Sequence, residues 1–140
     1  MSARRERDRT ELVRDWMAKA ETDFWPFTKD DAPTELLCFH AQQGTEKYIK
    51  AVLVAHGIPF PKTHDIEELC RLVPSTVTIP LTVREQRFLT DCEAATRYPE
   101  RIEAVVRRDA KLAVELAKRV QRTVQEHLAC EDSAFILPGQ

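Results

Sequence analysis

Apolar residues return along most of this chain with the i, i+3, i+4 spacing of helix faces. From Thr10, which has the chemistry of an N-cap, they fall at Leu12, Val13, Trp16, Met17, Ala20, Phe24 and Phe27, and Pro26 predicts a kink or stop between Phe24 and Thr28. Lys29 to Pro33 is a turn. Thr34 is then placed to cap a second helix over 35–56, apolar round most of its circumference and closed by Gly57. The prolines of Ile58 to His64 exclude regular structure there, and Asp65 or Thr63 caps a short helix that Pro74 stops. Ser75 to Thr82 has a strand-like composition, but Pro80 lies inside it and no partner strand exists, so it is a loop. A weaker helical stripe over 83–96 carries Val83, Phe88, Leu89, Cys92 and Ala95. Pro99 then opens the longest helix, with Ile102, Val105, Val106, Ala113, Leu116, Ala117, Val120, Val124 and Leu128 on one side.

Four long helices and one short one, joined by short or Pro-rich connections, predict an all-α, antiparallel up-and-down four-helix bundle with an additional short helix. Its expected extent is residues 10–130, with a flexible charged arm over 1–9 and a C-terminal tail over 131–140. Composition agrees: 140 residues make one domain, and 43% hydrophobic and 31% charged residues with only 3 glycines suit a helical globule.

Charge narrows the function classes. A net charge of -2 argues against bulk electrostatic coating of nucleic acid or membrane, although Arg107, Arg108, Lys111, Lys118, Arg119 and Arg122 lie largely off the last apolar stripe and give that helix a basic outer surface. No apolar run reaches membrane-spanning length, and a cytoplasmic location is expected. Cys38, Cys70, Cys92 and Cys130 form no C-x-x-C pair, and His40, His56, His64 and His127 form no i, i+4 pair; neither a metal nor another cofactor is expected. Phosphate-cradling glycine loops and a G-x-S-x-G elbow are absent as well.

Three groups of residues carry candidate chemistry. On the second helix Gln43, Glu46, Lys47 and Lys50 share a face, either as a solvated stripe of i, i+4 pairs or as a polar seam lining a cleft or contact. His64 precedes the cap Asp65, either packing the loop or available as a general base. Arg97, Tyr98 and Arg101 surround Pro99 at a helix N-terminus, where forked guanidinium groups and free backbone donors suit an anion; the alternative is a packed ring and two solvated arginines.

The segment from Phe39 to Leu69, FHAQQGTEKYIKAVLVAHGIPFPKTHDIEEL, resembles the signature of the HEPN domain: H-A-x-Q-x-x-E-K-x-x-K-A followed by a P-x-T-H-D-[IL] turn. The A-x-x-D-F of Ala20 to Phe24 and the R-Y-P of Arg97 to Pro99 are similar to the same family, so the resemblance extends from about Leu12 to Leu128. It implies an all-α bundle, commonly a homodimer, working with a separate minimal nucleotidyltransferase in a toxin–antitoxin-like module. Many members are metal-independent ribonucleases, whose catalytic pair is an arginine and a histidine with four to six residues between them. Arg97 occupies about the arginine position, but the histidine positions hold Ile102, Glu103 and Ala104, and the next histidine is His127. The pattern on the second helix together with R-Y-P resembles the branch proposed to bind nucleotides. There Lys47, Lys50, Arg97 and Arg101 would supply phosphate-binding charge and Tyr98 would stack on a base. The expectation is therefore a non-catalytic protein binding nucleotide or nucleic acid. The alternatives are a ribonuclease toxin using Arg97 with His64 or His127, and a structural dimerising adaptor.

Overall fold

The computed structural model describes residues 3–97 and 107–135, all-helical with no strand among them. Five α-helices follow one another: α1 (Ala3–Asp23), α2 (Thr34–Ala55), α3 (Ile66–Leu72), α4 (Val83–Arg97) and α5 (Arg107–Phe135), with a 3-10 turn at Trp25–Thr28 between the first two. This is the expected bundle of four long helices plus a short one. The proposed opening of the last helix at Pro99, and the apolar positions Ile102, Val105 and Val106, lie outside the described residues.

Local chemistry accounts for most boundaries. Helix α1 stops at Asp23, and Pro26 lies in the 3-10 turn that follows. It begins at Ala3 rather than Thr10, because the charged arm is built of Arg and Glu, which are good helix formers, without Gly or Pro. Thr34 is not the cap of α2; Pro33 is, and Thr34 starts the helix with its hydroxyl donating to Glu35 at 3.3 Å. The other end of α2 closes on Gly57 at φ 69°, where the Gly57 and Ile58 N–H groups donate to the carbonyls of Val54 and Leu53. Asp65 caps α3 by accepting from the Glu68 N–H at 3.2 Å, while Thr63 accepts from the Asp65 N–H at 3.1 Å. Thr82 and Glu85 form a reciprocal capping box at the start of α4, each accepting from the other's backbone N–H. The T-x-x-E spacing carried that signal.

Helix α2 is the central element, packed against α1, α3, α4 and α5. Tyr48, Ile49, Val52 and Leu53 are fully buried along it, and the α5 stripe of Ala113, Leu116, Ala117, Val120 and Val124 meets them with no exposure at all. Leu12 and Val83, both read as stripe residues, are instead about half exposed at 47% and 48%. Arg87 of α4 holds Glu67 of α3 through two hydrogen bonds of 3.1 and 3.2 Å.

Close approach of α1 to α2 depends on Gly44. A Cβ there would lie 2.6 Å from Cε1 of Phe24, whose ring is packed between Phe27 and Tyr48. Overpacking of this kind costs about 1–3 kcal/mol, against at most about 1 kcal/mol of helix propensity gained. Gly44→Ala is therefore expected to lower the urea unfolding midpoint; an unchanged midpoint would mean that Phe24 gives way freely.

Candidate functional site

Two rows of polar side chains run along α2. Positions 42, 46 and 50, four apart, form one row, and positions 40 and 47, seven apart, form the other. The expected seam of Gln43, Glu46, Lys47 and Lys50 is thereby divided between two neighbours.

The first row faces the Pro-rich loop. Glu46 is 4% exposed and accepts three hydrogen bonds: from Lys50 Nζ at 2.8 Å, His64 Nδ1 at 2.9 Å and Gln42 Nε2 at 3.1 Å. Burial by itself would raise this carboxyl, but the Lys50, His64 and Gln42 hydrogen bonds outweigh it and hold it below the usual carboxylate range. Gln42 also donates to the His64 carbonyl at 2.9 Å, so the loop is gripped by its backbone as well as by its imidazole. The Lys50 ammonium lies 5.4 Å from the Trp16 ring centre and 5.5 Å from that of Phe60, a cation flanked by two aromatic faces and neutralised by one carboxylate. His64 itself is half exposed, with its proton-bearing Nδ1 committed to Glu46.

The second row faces the end of α1. Asp23, 6% exposed, accepts from Lys47 Nζ at 2.5 Å and from His40 Nδ1 at 2.8 Å. Both lysines of the seam are therefore paired with interior carboxylates. Gln43 donates to the side chain of its neighbour Gln42 at 2.6 Å. Asp23 entered the sequence reading only as the D of A-x-x-D-F and was given no site role, though a signal existed: it falls on the core-facing stripe of α1, three positions after Ala20, where a carboxylate needs a cation beside it.

The remaining histidines form a pair of their own. His56 and His127 stack at 5.1 Å between centroids with their Nε2 atoms 2.9 Å apart, one donating and the other accepting. His127 stands about 30 Å along α5 from Arg107. Arg97 is the last residue of α4; its side chain, and Tyr98 and Arg101 entirely, lie outside the described residues.

The four cysteines are free thiols. Cys38 and Cys92 are buried and hydrogen-bonded to each other; that bond and burial push Cys92 up, while burial and the nearby Asp65 and Glu67 push Cys70 up to about 12. No cluster of three metal-ligating side chains exists among the described residues, and none of the described helices is long and apolar enough to cross a membrane. Two surface hollows, one on α4 around Val83, Arg87 and Phe88 and one on α1 around Leu12 and Trp16, are the candidate recesses.

No curated protein and no solved structure matches the chain. The family model described as HEPN domain matches residues 13–127, which takes in α1 from Val13, all of α2, α3 and α4, and α5 as far as His127. With a match over most of its length and an all-helical bundle of four long helices and a short one, the chain belongs to the HEPN domain family.

Proposed function

We propose that this HEPN protein is non-catalytic, that it binds a nucleotide or nucleic acid, and that it works in the cytoplasm as a homodimer beside a separate minimal nucleotidyltransferase, in a toxin–antitoxin-like module. The observation that carries the non-catalytic reading is the placement of the imidazoles. Ile102, Glu103 and Ala104 stand where the family's ribonucleases carry histidine. All four histidines of the chain are engaged elsewhere: His40 with Asp23, His64 with Glu46, and His56 with His127. Cleavage near neutral pH needs a group that exchanges a proton there, and neither Ile nor Ala does. In this reading Arg97 and Arg101 hold phosphate and Tyr98 stacks on a base. Lys47 and Lys50 are each neutralised by a buried carboxylate, so in this reading the phosphate-binding charge rests on the two arginines.

Calorimetric titration with ATP and other nucleotides tests the binding: wild type should give heat that Arg97→Ala abolishes. No heat at millimolar ligand for either protein defeats it. The homodimer rests on membership of the HEPN family, and sedimentation as a monomer at micromolar concentration counts against it.

A ribonuclease reading keeps one supporting observation. His64 is half exposed and its Nδ1 is held by a buried carboxylate, the arrangement that orients an imidazole as a general base. Metal-free incubation with RNA separates the two readings: cleavage lost in both His64→Gln and Arg97→Ala favours the enzyme, and intact RNA removes it.

A further inference from the structure

The exposed cations of α5 are arranged in a line that the proposed nucleotide site does not use. Arg107, Lys111, Lys118 and Arg122 stand at i, i+4, i+11 and i+15, which places them within about 60° of one another round the helix and spreads them over about 22 Å of its length. All four are exposed, as is Arg108 beside them. No carboxylate among the described residues pairs with any of these five, whereas Arg119, off the line, is taken by Glu85 at 3.4 Å and Glu115 at 3.9 Å. Asp109 is only partly exposed and stands about 140° or more round the helix from the line. Between 107 and 122 the helix thus carries six cations against two carboxylates, in a chain whose net charge is -2.

Segregation of this kind works against folding, since like charges along one helix face repel. A partner with regularly repeated negative charge relieves the repulsion. A row of unpaired Lys and Arg on a rigid helix matches a phosphodiester backbone, which offers repeated anions over the same length, and the binding gains free energy by releasing condensed counterions. We infer that the outer face of α5 is a sequence-independent nucleic-acid backbone site in which Arg107, Lys111, Lys118 and Arg122 contact successive phosphates. The inference rests on the reading above that the protein binds nucleotide or nucleic acid, and it names the polymer and the surface that reading leaves open.

Fluorescence anisotropy with a labelled single-stranded RNA, the matching RNA duplex and a poly-glutamate peptide, each over a salt series, tests it. Wild type should bind RNA with affinity falling as salt rises. The variant Lys111→Gln/Lys118→Gln/Arg122→Gln should bind about tenfold or more weakly, with the log-affinity against log-salt slope reduced by about 0.7–0.9 for each lost contact. A control with the same charge change on other elements, Arg14→Gln/Lys29→Gln/Lys62→Gln, should lose much less affinity. Circular dichroism confirms that both variants remain helical. RNA binding that the α5 variant does not weaken, or that the control weakens equally, overturns the inference and leaves the nucleotide reading standing. So does ATP heat without RNA binding, or poly-glutamate bound as tightly as RNA. Absence of both ATP heat and RNA binding defeats the two together.

Discussion

Glu46→Ala is expected to lower the unfolding free energy by about 3–5 kcal/mol, because it strands the buried Lys50 ammonium between Trp16 and Phe60 without its carboxylate. It also frees the His64 loop from its side-chain anchor. Denaturant titration measures the loss. The double variant Glu46→Leu/Lys50→Met should recover most of it, since a buried ion pair replaced as a unit by apolar groups of similar volume is near neutral. A double variant as unstable as Glu46→Ala would show that His64 anchoring, not the stranded charge, dominates. The pH dependence has a defined direction. The folded carboxyl lies below the ordinary value of 4.5, so the unfolded chain binds its proton more tightly. The contribution is complete above about pH 4.5 and is lost as pH falls through the lowered folded value. In Glu46→Ala that part of the acid limb should be missing.

Tyr48→Ala is expected to cost about 3–5 kcal/mol as well, by a different route. The ring is fully buried at the junction of α1, α2 and α5, edge-on to Phe24 with centroids 5.5 Å apart, and its hydroxyl accepts from Gln121 Nε2 at 3.0 Å. Tyr48→Phe keeps the ring and loses only the hydrogen bond, for about 1 kcal/mol. The two variants together separate packing from polarity; equal losses would refute a packing-dominated role. Burial pushes the phenol above its ordinary value of 10, partly offset by Gln121, so the folded state holds the proton more tightly. Stability should therefore decline as pH rises past about 10, and Tyr48→Phe should lack that alkaline component.

The helices themselves were legible because their signals are local. The stop at Pro26, the Gly57 closure, the Asp65 cap and the α5 stripe from Ala113 to Leu128 each depend on residues within a turn or two of one another. Where the reading differed, a second local rule prevailed. Thr34 yields its cap to Pro33, and the Arg- and Glu-rich arm propagates α1 back to Ala3. The family signature was legible for the same reason, as a run of residues on α2 and the turn after it. The candidate site was only half legible. The pairing of Glu46 with Lys50 follows from i, i+4 spacing, but nothing local indicated that Lys47 would turn to Asp23, 24 positions earlier, or that Glu46 would also hold His64, 18 positions later.

What the sequence alone determined is therefore the helical class, the polar face of α2, the cations of α5, and the lack of a histidine at positions 102–104, which four to six residues separate from Arg97. These are properties of residue identity and of the 3.6-residue period. What only the tertiary structure decided is which partner each polar group takes: Lys47 with Asp23, Lys50 between Trp16 and Phe60, His56 on His127, and the α5 line without a carboxylate among the described residues. Those pairings depend on the offset and crossing of one helix against another, which the packing of buried surfaces such as Gly44 on Phe24 sets and no local periodicity records.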